Sequence, residues 1–120
     1  MSEEIAEVIA EVFSRKLEDF SDRESYVFEF TQKYCPSSDL GRRLDILDEA
    51  YEQGFRLYRD IIKTIRDVKS SRDSLGKKYT YLINELNRIR NSSMKRLGVL
   101  EEQIYRDKWK VQQNKIQGGN

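Results

Sequence analysis

One apolar repeat constrains the fold of this chain more than any other feature. From residue 40 to residue 89, apolar side chains recur at alternating intervals of four and three, which is the spacing of a heptad repeat. The repeat covers about seven heptads and places one apolar stripe on a helix. Its positions are Leu40, Leu44, Leu47, Tyr51, Gly54, Tyr58, Ile61, Ile65, Val68, Arg72, Leu75, Tyr79, Leu82, Leu86 and Ile89. The rest of the chain has to cover this stripe.

Length and composition favour a single all-α domain. The chain has 120 residues, enough for one domain with a modest core. Charged residues make up 36% and apolar residues 38%, with one proline and six glycines. This balance is typical of long amphipathic helices and not of a sandwich or barrel with frequent turns. We assign residues 1–116 to one helical-bundle domain and residues 117–120 to a flexible tail.

The first helix is predicted over residues 3–34, with Ser2 as its cap. Residues expected to face the core at helical spacing are Ile5, Val8, Ile9, Val12, Phe13, Leu17, Phe20, Val27, Phe30 and Tyr34. The sequence Ser21-Asp22-Arg23-Glu24 fits a capping box, so we predict a kink or short break near residues 20–22. The alternative is an unbroken helix, because a four-three spacing also runs through Phe13, Leu17, Phe20, Glu24, Val27, Thr31 and Tyr34.

Two boundaries divide the rest of the chain. Pro36 cannot lie inside a helix, and Ser38 is a candidate cap for a second helix over residues 39–69. The serine-rich segment 69–76 predicts a turn at about residues 70–74, followed by a final helix over about 75–115. Because the heptad register passes through this segment, one continuous helix of roughly 110 Å is the alternative. The preferred fold is an up-down-up bundle of three long helices with coiled-coil-like packing, and with Ile61 and Leu82 in its core.

The charges are divided unevenly along the chain. Residues 1–55 carry 14 acidic and 6 basic side chains, whereas residues 56–120 carry 7 acidic and 16 basic ones. The halves can neutralise each other across an antiparallel bundle, or the basic half can bind an anionic surface. Cys35 is the only cysteine, the first residues are acidic, and no apolar run approaches the roughly 18 residues of a membrane span. We therefore expect a soluble, cytoplasmic protein without a membrane partner.

The side chains that most enzymes need are missing. The chain has no histidine, which removes the commonest general base and the usual activated nucleophiles. It also has no glycine-rich phosphate loop. A cluster of carboxylates (Asp45, Asp48, Glu49 and Glu52) is interpreted as a solvated acidic face, because hard cations require more oxygen ligands from a folded loop. We predict no catalytic residue, cofactor, metal site or small-molecule substrate.

The last helix carries a basic stripe beside its apolar one. Its residues lie in one sector of roughly 100° on a helical wheel. The stripe consists of Lys77, Lys78, Tyr81, Arg88, Lys95, Arg96, Arg106 and Lys110. One interpretation is a surface that follows phosphates of RNA or DNA, with Tyr81 stacking on a base. The other is a polar flank that faces the acidic first helix.

The C-terminal end suggests a contact surface. If the three helices start level, the last exceeds its neighbours by about ten residues, or roughly 15 Å. Tyr105, Trp109 and Ile116 are assigned to this overhang, on the side opposite Leu82 and Leu100. We call these three residues the C-terminal apolar site. The leading hypothesis is a non-enzymatic interaction or assembly subunit, such as an adaptor or structural component, that binds a protein partner or forms a homo-oligomer; the alternative is a nucleic-acid-binding helical subunit.

Overall fold

The chain is all-α over the part that can be described. The computed structural model describes the backbone of residues 1–35 and 39–118 and the side chains through residue 115. Within these ranges it contains four helices and no strand: α1 (Glu3–Tyr34), α2 (Leu40–Ser70), α3 (Arg72–Leu75) and α4 (Lys78–Gly118). The all-α class is confirmed. The expected count of three differs by α3, which has four residues and lies between the second and third long helices.

Contacts between the long helices define their directions. Glu7 contacts Lys78 and Glu24 contacts Arg96, so α1 and α4 run parallel. The Phe20 ring lies against Gly54, and Arg23 lies 3.8 Å from Glu49, so α2 runs antiparallel to α1.

The Arg43–Asp107 contact gives the antiparallel direction of α2 against α4. All three long helices pack against one another, and the molecule measures 67 × 23 × 15 Å. The length therefore follows the helix axes, and the core is a narrow column between them.

α1 is one continuous helix, so the predicted short break near residues 20–22 is wrong and the alternative of an unbroken helix is the one observed. The four-three spacing continues inward through Phe20, Glu24, Val27 and Thr31, all of which are buried. A break would remove this continuous contact, so packing overrides the local capping-box signal. Ser2 does occupy the N-cap, but its side chain makes no capping hydrogen bond. The helix ends where predicted, because Cys35 precedes a proline and adopts an extended conformation.

The predicted break within residues 69–76 is confirmed. α2 ends at Ser70, and the Ser71 backbone N–H donates to the Val68 carbonyl at 3.0 Å. Gly76 then adopts a positive φ of 53°, a conformation that glycine tolerates best, and α4 begins at Lys78. Arg72 is exposed at its heptad position, whereas Leu75 is fully buried. The chain reverses here while the apolar stripe continues on the other side of the turn.

The core consists mainly of the heptad stripe of α2 and α4, together with one face of α1. Ile61 and Leu82 are both fully buried, as predicted. The apolar side chains of the core are Ala6, Ala10, Phe13, Phe20, Val27, Leu47, Ala50, Leu57, Ile61, Ile65, Val68, Leu75, Leu82, Leu86, Ile89, Leu97, Leu100 and Ile104. Several of these positions, including Ala50 and Leu57, lie beside the predicted stripe, because each long helix contacts two neighbours and must bury a wider face.

The inward face of α1 matches the prediction only in part. Phe13, Phe20 and Val27 are buried, as expected. Four other residues expected in the core are exposed: Ile5, Val8, Val12 and Tyr34. The large side chains Phe13, Phe20 and Val27 set the rotation of α1 about its axis. Toward the N-terminus, the same spacing leads three residues back from Phe13 to Ala10 and four more to Ala6. These two alanines fill the core at that end.

The contact between α1 and α2 can be tested with two glycines. A Cβ at Gly54 would overlap the Phe20 ring, whereas a Cβ at Gly98 would meet nothing within 4 Å. We therefore expect Gly54→Ala to lower the free energy of unfolding by about 1–3 kcal/mol through overpacking. Gly98→Ala should raise it by about 0.5–1 kcal/mol, because alanine is the better helix former. Urea unfolding of both variants measures the difference, and a stabilising Gly54→Ala would contradict the close approach of α1 and α2.

Candidate functional site

Two members of the C-terminal apolar site, Tyr105 and Trp109, are exposed on the side of α4 that faces away from the core. Tyr105 and Trp109 are 71% and 63% exposed, respectively. Tyr105 borders a surface depression of about 340 Å³, together with Asp48 and Tyr51 of α2 and with Glu101, Ile104 and Lys108 of α4. Ile116 belongs to the helix, but its side chain lies outside the described residues.

Tyr105 does not lie in an overhang. Arg43 Nε donates to Asp107 Oδ2 at 3.1 Å, and an Arg43 terminal nitrogen donates to the Cys35 carbonyl at 3.4 Å. These bonds place the end of α1 and the start of α2 level with about residue 110 of α4. Only the last eight or so residues of α4, roughly 12 Å, extend further. The end of α4 extends less far than predicted because the helix was expected to begin at about residue 75. α3 and Gly76 occupy the connection instead, so α4 begins three residues later, at Lys78.

A buried polar cluster holds this end of the three helices together. Asp107 is fully buried and accepts hydrogen bonds from Arg43 and, at 2.9 Å, from the Gln103 side-chain nitrogen. Both carboxylate oxygens therefore have donors, which offsets the cost of burying the charge. Asp107 follows Leu100 and Ile104 at heptad spacing, so the continued stripe could have identified it. The cluster links α2, α4 and the end of α1.

The basic stripe is divided between two environments. Lys78 donates to Glu7 at 3.0 Å, and this hydrogen bond, followed by the charge of Glu7, raises the pKa of Lys78. Arg96 also turns toward α1, where its guanidinium lies 3.5 Å from Glu24. These two contacts support neutralisation between the acidic and basic halves of the chain.

The other members of the basic stripe face solvent. Arg88 and Arg106 pair with Glu85 and Glu102 of the same helix, at 2.9 and 2.6 Å. Lys77, Lys95 and Lys110 are exposed and make no ion pair within the described part of the chain. Tyr81 is also exposed, with the Lys78 ammonium 5.6 Å from its ring centroid. The structure thus leaves five cations and one aromatic ring of the predicted set on an open surface.

Glu24 is a buried acid on the core-facing side of α1. Burial raises the pKa of the Glu24 carboxyl, and the charge of Arg96 offsets only part of this rise. Within the described residues, Glu24 Oε2 and Arg96 Nε have no hydrogen-bond partner. An incompletely satisfied buried charge costs stability, so ionised Glu24 is expected to be unfavourable for folding.

Because ionised Glu24 is unfavourable for folding, the free energy of unfolding should depend on pH. Because the pKa of Glu24 is higher in the folded than in the unfolded chain, the folded state binds more protons between the two values. Unfolding free energy should therefore decrease as pH rises through that window, and the cost is complete above the folded pKa. Measured against Glu24→Gln, which cannot titrate, the wild type should gain relative stability as pH falls. A difference between the two proteins that does not change with pH would contradict the raised pKa.

Sequence reasoning missed an apolar face on α1. Ile5, Val8 and Val12 lie on the outside of its first half, exposed by 41%, 56% and 44%. On the same side of the second half, the Tyr26 and Phe30 rings stack with centroids 5.9 Å apart, and the Phe30 and Tyr34 rings follow at 5.3 Å. The signal was present as a second four-three spacing that competes with the spacing through the alanines.

Among the described residues, no group of three or more histidine, cysteine, aspartate or glutamate side chains could hold a metal ion. Cys35 is a free thiol buried beneath the end of α1. None of the helices in the described ranges is long and apolar enough to cross a membrane.

Comparison of the chain with protein-family models, with curated proteins and with solved structures finds no match.

Proposed function

We propose that the protein is a non-enzymatic interaction or assembly subunit that presents helical faces to a partner, as an adaptor or structural component does. The observation that carries this proposal is the exposure of Trp109 on the side of α4 that faces away from the core. Tryptophan buries a large area at low entropic cost and keeps a polar tip, so it is favoured as an interface anchor. Tyr105 lies one turn away and enlarges the same surface.

The surroundings of Trp109 suggest the chemistry of its partner. Lys108 and Lys110 flank it and are exposed. A complementary surface would place an apolar pocket around the indole and acidic side chains at the rim. The C-terminal apolar site, with Ile116 as its third member, would then bind a protein, and the long helices would serve as a rigid support.

The proposal includes an up-down-up bundle with coiled-coil-like packing as that support. Buried residues at four-three spacing on α2 and α4 favour it, because they are the positions from which knobs enter holes on a facing helix. A bundle of this kind positions exposed side chains on rigid elements, which is what an interaction surface needs.

Substitution of Trp109 tests the proposal. Trp109→Ala should weaken association by at least about 2 kcal/mol, roughly thirtyfold in dissociation constant, while the melting temperature stays nearly unchanged. Met94→Ala is the matched control, because Met94 is half exposed on the same helix and lies roughly 22 Å away. The measurements are quantitative affinity capture by the immobilised chain and sedimentation equilibrium. If Trp109→Ala unfolds the protein, or if it binds as Met94→Ala does, the site does not exist.

The alternative proposal is a nucleic-acid-binding helical subunit. The exposed sector of the basic stripe supports it. Arg88, Lys95, Arg106 and Lys110 lie on one side of α4 with Tyr81 among them, and Lys77 directly precedes the helix. From first to last, these cations span about 50 Å of helix. This arrangement suits a nucleic-acid strand whose phosphates contact the row of cations, with an occasional base stacked on Tyr81.

Salt dependence separates the two proposals. If the five exposed cations contact phosphates, binding to a single strand should weaken about a hundredfold between 50 and 200 mM salt, and binding to a duplex should weaken more. The slope of the logarithm of the binding constant against the logarithm of the salt concentration reports the number of phosphate contacts. Lys95→Ala should reduce this slope by the amount expected for one contact. Lys63→Ala, an exposed lysine on α2, should leave the slope unchanged. Fluorescence anisotropy with labelled oligonucleotides measures both, and no binding at low salt would eliminate this alternative.

A further inference from the structure

The outer face of α1 is a second apolar stripe that the bundle leaves uncovered. It consists of Ile5, Val8, Val12, Lys16, Asp19, Arg23, Tyr26, Phe30 and Tyr34, which recur at three- and four-residue intervals on one side of the helix. The first third is aliphatic, the middle is charged and the last third is aromatic. Only Phe30 of its apolar members is half-buried, and the others are exposed.

Side-chain size argues that this face is more than residual apolar surface. The first half of α1 fills the core with Ala6 and Ala10, while the larger Ile5, Val8 and Val12 point to solvent. A helix built only for its own bundle would place its larger apolar residues inside, where each buries more area. Exposed apolar residues grouped at both ends of one helix face, with charged residues between them, are typical of an interaction surface.

Two antiparallel copies of this face would place the aliphatic residues of one copy opposite the aromatic residues of the other. Ile5 and Tyr34 are equidistant from a point between residues 19 and 20, and Val8 and Phe30 are equidistant from residue 19. Val12 and Tyr26 are also centred on residue 19. When two copies of α1 lie antiparallel about an axis near Asp19, each aliphatic residue therefore faces an aromatic ring of the other copy. A two-fold contact requires such reciprocal pairs.

The charges beside the stripe follow the same reversal. Glu4 and Lys33 are centred between residues 18 and 19, as are Arg15 and Asp22, so each pair brings opposite charges together across the axis. In a parallel pairing, Glu4 would lie beside Glu4 and Lys33 beside Lys33. All four side chains are exposed, and Arg15 and Lys33 would exchange their present partners Glu11 and Glu29, each at 2.9 Å, for residues of the other copy. Within the stripe, Lys16 would face Arg23 and Asp19 would face its own copy, so the contact depends on the two apolar ends. A parallel pairing places every charge beside its own copy, so the flanking charges favour the antiparallel direction over the parallel one.

We propose that the protein forms a homodimer through the outer face of α1, with the two α1 helices antiparallel and the two-fold axis near Asp19. This deepens the proposed interaction function by naming one partner, and it uses a surface separate from the C-terminal apolar site. This face is about 45 Å long and 10 Å wide, so the contact buries roughly 900 Å² in total, which is the size of a weak, transient interface. The dimer is accordingly a weak one, with a dissociation constant in the micromolar range.

Sedimentation equilibrium of the full chain from about 1 to 200 µM tests the dimer. The wild type should approach twice the monomer mass of 14.3 kDa as concentration rises. Val8→Lys and Tyr34→Lys should each raise the dissociation constant at least tenfold without lowering the melting temperature. Val99→Lys, at a position 46% exposed on α4, should leave the dissociation constant unchanged. A monomer throughout the range, or equal association of all four proteins, would overturn the proposal; if one lysine variant fails to fold, the other still decides it.

Disulfide cross-linking tests the direction. Position 12 of one copy should lie opposite position 26 of the other, so a mixture of Val12→Cys and Tyr26→Cys proteins should form a mixed disulfide dimer. Val12→Cys alone should not cross-link, because its two copies would lie about 21 Å apart, far beyond disulfide reach. Rapid cross-linking of Val12→Cys with itself would overturn the antiparallel arrangement.

Different outcomes would contradict the α1 dimer and the C-terminal apolar site. Trp109→Ala should leave the dimer unchanged, and loss of the dimer in that variant would assign self-association to the C-terminal apolar site instead. If the chain is monomeric while Trp109-dependent capture of a partner persists, the interaction function stands and the α1 dimer is wrong. If the dimer forms but Trp109→Ala changes no association, the α1 dimer stands and the C-terminal apolar site is wrong.

Discussion

The reversal at residues 71–77 is the constraint on which the rest of the structure depends. The heptad stripe runs without a change of register from α2 into α4, so an uninterrupted helix would expose it along its whole length. Ser71, the short α3 and Gly76 turn the chain back, and the two parts of the stripe then bury each other. Burying several leucine and isoleucine side chains on each helix at about 1.5–3 kcal/mol apiece far outweighs the cost of a strained glycine turn.

Two buried polar contacts then set the register of the helices in different ways. Asp107 has donors on both carboxylate oxygens, from Arg43 and Gln103, so the cluster is well satisfied and links α2, α4 and the end of α1. Glu24 and Arg96 are joined less completely, since one atom of each lacks a hydrogen-bond partner within the described residues. Satisfied networks make one alignment preferable to its neighbours, because a shift by one turn would leave a buried charge unpaired.

The proposed contacts use apolar residues that this packing leaves outside. α1 buries alanines and exposes Ile5, Val8 and Val12, and α4 exposes Tyr105 and Trp109 while burying Leu100 and Ile104. The two surfaces lie on different helices, so the proposed dimer and the proposed protein contact would not compete. The basic stripe is smaller than its sequence suggests, because Lys78 and Arg96 are engaged by Glu7 and Glu24. What remains of it is an exposed row of cations beside Tyr81.

The sequence by itself determined that the chain is helical and where the long helices are connected. The period of the apolar residues, the residue before Pro36 and the serine-rich segment ending at Gly76 act locally, and they predicted α1, the break after α2 and the buried Ile61 and Leu82. Only the tertiary structure decided which of the two competing stripes on α1 faces inward, because that depends on where Phe13 and Phe20 meet the neighbouring helices. It also decided that α1 is unbroken, that Asp107 and Glu24 are buried, and that Tyr105 lies beside α2. Helical periodicity is a property of consecutive residues, whereas the choice of buried face and the alignment of helix ends arise from contacts between residues far apart in the chain.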